Sequence, residues 1–171
     1  MPSRTDEIIS KGMEKAKAVK ATVKGISGVF KTLMEQHGEA SGLMRRVQNN
    51  SDKRAELWPQ IRRALISHER GELRVVYPVL REYEATRAFA DEHDAEATLL
   101  EAQINSIDAL SFDNATWGEE FGTLVKLVTD HVSEEESTIF PAAMDAIGDD
   151  RASELDSQFL QAQKSVLADL V

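Results

Sequence analysis

Two strings of the sequence share one pattern: HERGELRVVYP at residues 68–78 and HVSEEESTIFP at residues 131–141. Each has a histidine, a glutamate four residues later, and an aromatic–proline pair after four more residues. A spacing of four places the histidine and the glutamate side by side on one face of an α-helix. The strings therefore predict two helices that each carry a His–Glu pair.

The apolar residues around these strings recur at intervals of three and four, which is typical of amphipathic helices. This pattern predicts an all-α fold of four long helices, with further helical segments at both ends. Pro59 indicates either a kink in the second helix or a start near Trp58, and Pro78 is expected to bend or break its far end. The predicted helices cover residues 27–48, 52–77, 86–110 and 115–138, and a last one covers residues 151–170.

Each of the four long helices places polar residues on its predicted inward face, beside apolar ones such as Val75 and Phe89. Burying an imidazole or a carboxylate without a partner is costly. All four histidines of the chain lie on these faces, one per helix. The polar set is His37 on the first helix, His68 and Glu72 on the second, His93 and Glu96 on the third, and His131 and Glu135 on the fourth.

Each of these residues taken singly is typical of an ordinary core or surface pair, but the set needs a common partner for its charges. Two divalent metal ions would supply it, because imidazole and carboxylate are ligands for iron, manganese and zinc. The segments around His37 and His93 also resemble each other, as EQHGEA and DEHDAEA. The chain thus looks like two helix pairs related by a pseudo-twofold axis, each contributing half of a two-metal centre.

From Ser27 to Ala146 the chain resembles the HHE cation-binding domains of the hemerythrin family. The resemblance rests on the two His–Glu strings and on the single histidines of the first and third helices. It implies an antiparallel up-down four-helix bundle around two iron ions with an oxo or hydroxo bridge. By this resemblance the terminal ligands are His37, His68, His93 and His131, and Glu72 and Glu135 bridge the irons.

The sequence departs from the oxygen-carrying members of that family at Ala97, where they have a second histidine on the third helix. Glu96 and Glu69 are the candidates to replace this ligand. Glu96 is favoured, because helix geometry places Glu69 about 100° from His68. Tyr77 is expected to pack at the end of its helix, and the alternative is that its hydroxyl donates a hydrogen bond at the edge of the site. A carboxylate in place of an imidazole favours the ferric state, which speaks against simple oxygen carriage.

The chain has 171 residues, a net charge of −10 and no cysteine. The lack of cysteine excludes disulfides, cysteine nucleophiles and iron–sulfur clusters. An acidic body repels phosphate backbones, so we expect no nucleic-acid partner. The first residues are charged where a signal peptide is apolar, and no apolar run is long enough to span a membrane. These features predict a cytoplasmic protein without an integral membrane segment.

Three regions are predicted: a basic helical extension at residues 1–26, the bundle at residues 27–146, and a helix packed on it at residues 147–171. Residues 1–31 carry Arg4 and six lysines against three acidic residues, a net charge of +4. An apolar face of this extension would include Ile9, Met13 and Val23. It indicates either an extra helix packed on the acidic bundle or a surface for a membrane or partner.

Two functions remain open from the sequence, besides a structural bundle without metal whose histidines and glutamates pair with each other. The first is a di-iron protein that binds or processes dioxygen, peroxide or nitric oxide, with or without enzymatic turnover. The second is an interaction module that responds to iron or oxygen, with a protein partner or a homodimer. Zinc or manganese are the expected substitutes for iron.

Overall fold

The computed structural model describes the backbone of residues 4–170 and the side chains of residues 11–21 and 24–170. Every regular element in this part is helical. Two short π-helical segments, Glu72–Val76 and Glu135–Ile139, and a 3₁₀ turn, Ser51–Lys53, join some of the α-helices. The α-helices are α1 (Arg4–Val23), α2 (Gly28–Asn49), α3 (Arg54–Gly71), α4 (Tyr77–Leu80), α5 (Glu84–Asp108), α6 (Trp117–Glu134) and α7 (Phe140–Asp169).

Two apolar clusters form the two ends of the helical bundle. One joins the end of α2, the start of α3, the end of α5 and the start of α6, and contains Trp58 and Trp117. The other joins the start of α2, the α4 region, the start of α5 and the residues after α6, and contains Phe30, Tyr77 and Phe140. Because successive helices contribute opposite ends to each cluster, neighbours run antiparallel. The predicted all-α bundle is thereby confirmed.

The two prolines of the second predicted helix both lie within helical structure. α3 begins at Arg54 and contains Pro59, so the alternative start near Trp58 is wrong. At Pro78 the chain does not leave the helix but continues to Leu80, after five residues of π-helix. Proline lacks an N–H group and its ring crowds the carbonyl of the preceding turn. A wider turn just before the proline accommodates both effects.

The two π-helical segments begin at the glutamates of the two His–Glu pairs and end just before Tyr77 and Phe140. The extra residue in each wide turn shifts the helical register. Val76 is therefore fully buried, while Val75, predicted to face inward, is only partly buried. Each segment turns its aromatic residue toward the centre of the bundle.

α5 buries His93, Leu100, Ile104 and Ile107, but two positions at the border of its inward face differ from the prediction. It buries Ala90 and Ala97 on either side of His93, whereas Phe89 and Glu96 are only partly buried. Periodicity leaves two adjacent positions at the border of a helix face equally eligible for burial. Packing against the neighbouring helices decides between them, and the small alanines lie inside.

The two terminal helices pack against the bundle. α1 lies on α2, where a Cβ atom at Gly38 would come within 2.8 Å of the Met13 carbonyl oxygen. α7 breaks at Gly148, which has a positive φ of 76°, and its second part, residues 149–169, packs Phe159 against Gly71 of α3. The side chains of Ile9 and Val23 lie outside the described residues. Within those residues, none of the helices has the length and apolar character needed to span a membrane.

Candidate metal centre

Candidate ligands from α2, α3, α5, α6 and the two π-helical segments converge between the two apolar clusters in two groups. In each group the possible ligand atoms all lie within 4.8 Å of one another. Each group takes its two histidines from one helix pair, α2 with α3 or α5 with α6, as the pseudo-twofold predicts. The first group is His37, His68 and Glu135, and the second is Glu69, Glu72, His93 and His131.

In the first group, two imidazoles and a carboxylate face one another. Nε2 of His37 lies 3.1 Å from Nε2 of His68 and 3.1 Å from Oε2 of Glu135. Glu135 is fully buried, and the two histidines are nearly so. Two unprotonated Nε2 atoms at this distance repel each other unless a proton or a metal cation lies between them.

The second group has the same character but contains two carboxylates. Nε2 of His131 lies 3.3 Å from Glu69 and 3.4 Å from Oε1 of Glu135. Nε2 of His93 lies 3.6 Å from Glu69 and 3.7 Å from Glu72. Glu135 thus directs one oxygen to each group, Oε2 to the first and Oε1 to the second.

Glu72 also reaches both groups. Its Oε2 atom lies 3.4 Å from Nε2 of His68 and 3.7 Å from Nε2 of His93. The two carboxylates that the resemblance assigns as bridges are therefore the ones that lie between the two groups.

The structure reverses the predicted orientation of Glu69 and Glu96. Glu69 is 7% exposed and belongs to the second group. The Glu96 side chain is 42% exposed and accepts a hydrogen bond from Nδ1 of His131 at 3.0 Å. The prediction that Glu69 points further from the core is wrong, because helix geometry fixes only the direction of Cβ. The flexible side chain carries the Glu69 carboxylate inward.

Tyr77 has a second role besides packing. Its hydroxyl donates a hydrogen bond to Oε1 of Glu135 at 2.6 Å, and its ring stacks on His93 with centroids 3.5 Å apart. The equivalent Phe140 stacks on His37 with the planes 13° apart. The aromatic residue of each sequence string thus covers a histidine of the other helix pair, but only Tyr77 adds a hydrogen bond.

Burial and neighbouring charges shift the pKa values of several residues in the cluster. Burial raises the pKa of Glu72 well above its usual value, and the charge of Glu135 adds to this. Burial would also raise the pKa of Glu135, but His131 and His37 outweigh it and lower that pKa. Burial and the neighbouring charge of His37 lower the pKa of His68 to about 3. A protonated carboxyl group and an ionised carboxylate therefore lie close together in the core.

Several buried polar atoms of the cluster have no hydrogen-bond partner among the described residues. They include both carboxylate oxygens of Glu72, Oε2 of Glu69 and both ring nitrogens of His93. Buried polar atoms in native proteins are nearly always satisfied, since leaving one unpaired is costly. Cations bound among these atoms would satisfy them, and the mixture of imidazole and carboxylate suits iron, manganese or zinc. The residues present therefore fit a metal site.

Two cavities lead to the cluster from different sides. One, of about 250 Å³, reaches His37, His68 and Glu69, and its other walls include Leu65 and Val132. The second, of about 230 Å³, reaches Glu69 and His131 and is lined further out by Glu96, Asp130 and Glu134. A small ligand has room beside both groups.

Sequence reasoning missed two groups that contact the histidines from outside. Glu136 accepts from Nδ1 of His37, and Gln36 accepts from Nδ1 of His68. Nothing in the periodicity marks these residues, since each bond joins side chains of different helices.

The chain is similar to a known family of domains and to a longer known protein. It is 27% identical over 135 residues to a protein of Nostoc sp. (strain PCC 7120 / SAG 25.82 / UTEX 2576) named DNA nickase, a match that covers 76% of this chain and 37% of the relative. No solved structure gives a significant match. The family model described as "Hemerythrin HHE cation binding domain" matches residues 28–143, more than half of the chain. The chain therefore belongs to the hemerythrin HHE cation-binding domain family.

Proposed function

We propose that this protein holds two iron ions between its helices and binds or processes dioxygen, peroxide or nitric oxide there. The main support is the convergence of two groups of buried imidazoles and carboxylates, with unsatisfied atoms directed at each other. A cytoplasmic location remains a prediction.

The roles of the side chains follow from their positions. His37 and His68 would bind one ion, and His93, His131 and Glu69 the other. Glu72 and Glu135 lie where each can reach both. When bound, the two irons supply the electrons for redox chemistry with a small ligand. Zinc or manganese in the same positions would be held by the same side chains.

The side chains also limit what the centre does. Glu69 contributes a carboxylate where the oxygen carriers have an imidazole, which adds negative charge next to a bound ion. This charge stabilises the ferric state, so processing or sensing of the ligand is favoured over reversible carriage. Tyr77 keeps its proton, since burial and the charge of Glu135 raise its pKa well above 10. Its hydroxyl therefore donates to Glu135 and orients that carboxylate.

The first experiment is elemental analysis of the purified chain, loaded with ferrous iron without oxygen, together with optical spectra before and after adding dioxygen, peroxide or nitric oxide. We expect about two irons per chain and a charge-transfer absorption band that changes with at least one of these ligands. The double variant His68→Ala/His131→Ala, which removes one candidate ligand from each group, should lose most of the metal. No bound metal in the reconstituted wild-type chain would refute the proposal.

A metal-responsive interaction module is the second candidate. The contact of the basic helix α1 with Glu136, which in turn binds His37, favours it. A chain that binds metal but whose spectrum ignores all three ligands, and that gains or loses a partner on metal binding, would support this candidate.

The name of the Nostoc relative describes that protein, of which this chain matches a minor part. The net charge of −10 works against binding to a phosphate backbone. We therefore do not expect this chain to nick DNA. Incubation of the iron-loaded protein with supercoiled plasmid should leave the plasmid closed.

A further inference from the structure

The outer nitrogen of His37 is held by a chain of contacts that ends in the N-terminal helix. Nδ1 of His37 donates to Oε1 of Glu136 at 3.1 Å. Glu136 is 2% exposed. Nζ of Lys17 on α1 donates to both oxygens of this carboxylate at 2.6 Å, and Lys20 adds a contact at 3.3 Å. Lys17 of α1 thus holds Glu136, and Glu136 in turn holds the candidate ligand His37.

The outer nitrogen of His68 is held in a parallel way from the C-terminal helix. Nδ1 of His68 donates to Oε1 of Gln36 at 2.9 Å. The amides of Gln36 and Gln163 are paired, and each donates to the other at 2.9 Å. Gln163 also donates to Ser67 at 3.3 Å. The orientation of Gln36, and with it that of His68, therefore depends on the second part of α7.

Lys17 and Gln163 both lie outside the part of the chain that matches the family, residues 28–143. They serve the same group of candidate ligands. In the second group, the outer nitrogen of His93 has no hydrogen-bond partner within the described part of the chain, and that of His131 bonds to Glu96 of α5 within the bundle. The described side chains of the two terminal helices thus support the first group and not the second.

We propose that Lys17, through Glu136, and Gln163, through Gln36, are positioning residues that hold His37 and His68 for metal binding. Through them, the docking of both terminal helices is coupled to occupancy of the first group. This inference rests on the proposed metal-binding function.

The physical reason lies in the two nitrogens of imidazole. A histidine that donates its Nδ1–H to a fixed acceptor keeps the lone pair of Nε2 available for a metal, and the ring is held at a fixed angle. Both Nε2 atoms here face each other at 3.1 Å. A bound cation draws electron density from the ring, which strengthens the Nδ1–H bond to Glu136 or Gln36. Coupling of this kind is reciprocal, so the metal stabilises the docked helices as much as they favour the metal.

The test uses the full chain with Lys17→Ala and Gln163→Ala. The matched controls are Lys15→Ala and Gln161→Ala, at exposed positions of the same two helices. Ferrous iron affinity is measured without oxygen by competition with a chelator. Losing such a supporting contact typically weakens metal binding about 10–100-fold. We expect each test variant to lose about 10-fold or more for one of two ions, and the controls to stay within about twofold.

A second measurement needs no variant. Hydrogen exchange of the wild-type chain, with and without ferrous iron, should show slower exchange in residues 11–21 and 149–169 when iron is bound. In Glu136→Gln, which keeps the shape of the side chain but weakens the bond to Lys17, the effect on residues 11–21 should shrink.

The outcomes separate this inference from the proposed function. If the wild-type chain binds two irons but test and control variants bind them equally well, the positioning roles are refuted and the metal centre stands. Unchanged exchange of both terminal helices on iron binding would refute the coupling. If the wild-type chain binds no metal, the proposed function and this inference both fail.

Discussion

At the scale of single residues, the composition of the centre depends on how far each side chain reaches, and not only on the direction of its Cβ atom about the helix axis. Glu69 and Glu96 show this. Each lies close to a histidine on its own helix. The more exposed Glu96 accepts a hydrogen bond from Nδ1 of His131, whereas the Glu69 carboxylate reaches inward to Nε2 of the same histidine. The two carboxylates therefore have different expected effects on metal content.

The variants Glu69→Gln and Glu96→Gln test this difference. Gln at position 69 removes a charged candidate ligand, so we expect metal content to fall from about two ions per chain to about one. Gln at position 96 still accepts from His131, so both ions should stay, with an affinity reduced about 10-fold or less. Elemental analysis after gel filtration measures both. The reverse result would restore Glu96 as the ligand.

A second residue-scale prediction concerns Tyr77→Phe. The ring still stacks on His93, but the hydrogen bond to Glu135 is lost. Phe occurs at the equivalent position 140, so the fold should tolerate it. We expect metal affinity to fall about 10-fold, with far-ultraviolet circular dichroism unchanged. Equal affinity in the variant and the wild type would show that Tyr77 serves packing alone.

At the scale of helices, two local features position the centre. The π-helical segments begin at Glu72 and Glu135 and turn Tyr77 and Phe140 inward. Glycine at position 38, next to His37, lets the backbone of α1 approach α2. A regular helix in the first case, or a larger side chain in the second, would move the groups that contact the histidines.

Gly38→Ala and Gly122→Ala form a matched pair for this idea. The new Cβ at position 38 would lie 2.8 Å from backbone of α1, whereas nothing lies within 4 Å of a Cβ at position 122 of α6. Overpacking costs about 1–3 kcal/mol, and replacing an open helical glycine by alanine stabilises by about 0.5–1 kcal/mol. We expect Gly38→Ala to lower stability in urea unfolding and to speed hydrogen exchange in residues 11–21. Gly122→Ala should raise stability. Normal exchange of α1 in Gly38→Ala would contradict the close packing.

At the scale of the whole molecule, the fold holds unsatisfied carboxylates and imidazoles in its core between two apolar clusters. The apolar clusters stabilise the bundle, and the polar layer between them destabilises it until a cation is bound. Stability and metal content are therefore linked.

Metal binding should raise the melting temperature. A ligand at 100 times its Kd stabilises the native state by about 2.7 kcal/mol, which corresponds to about 5–10 °C for a chain of this length. Differential scanning calorimetry of the chain, first treated with chelator and then loaded with ferrous iron without oxygen, measures the shift. A melting temperature that is the same in both states would indicate that the polar layer is satisfied within the protein.

The sequence by itself determined the helical class, the position of all four histidines on inward faces, and the His–Glu pairs that identify the family. These features follow from spacing along one helix, which fixes the direction of each Cβ about that helix axis. Pseudo-symmetry between the two strings was visible for the same reason.

Only the tertiary structure decided which residues meet from different helices. Glu136 lies 99 residues from His37 in the chain, and Gln163 lies 127 residues from Gln36. Periodicity contains no information on how one helix packs against the next, so the burial of Ala90 and Ala97 in place of Phe89 and Glu96 could not be foreseen. The inward position of the Glu69 carboxylate depends on the conformation of its side chain, and the burial of Val76 and Tyr77 depends on the shift of register in the π-helical turn.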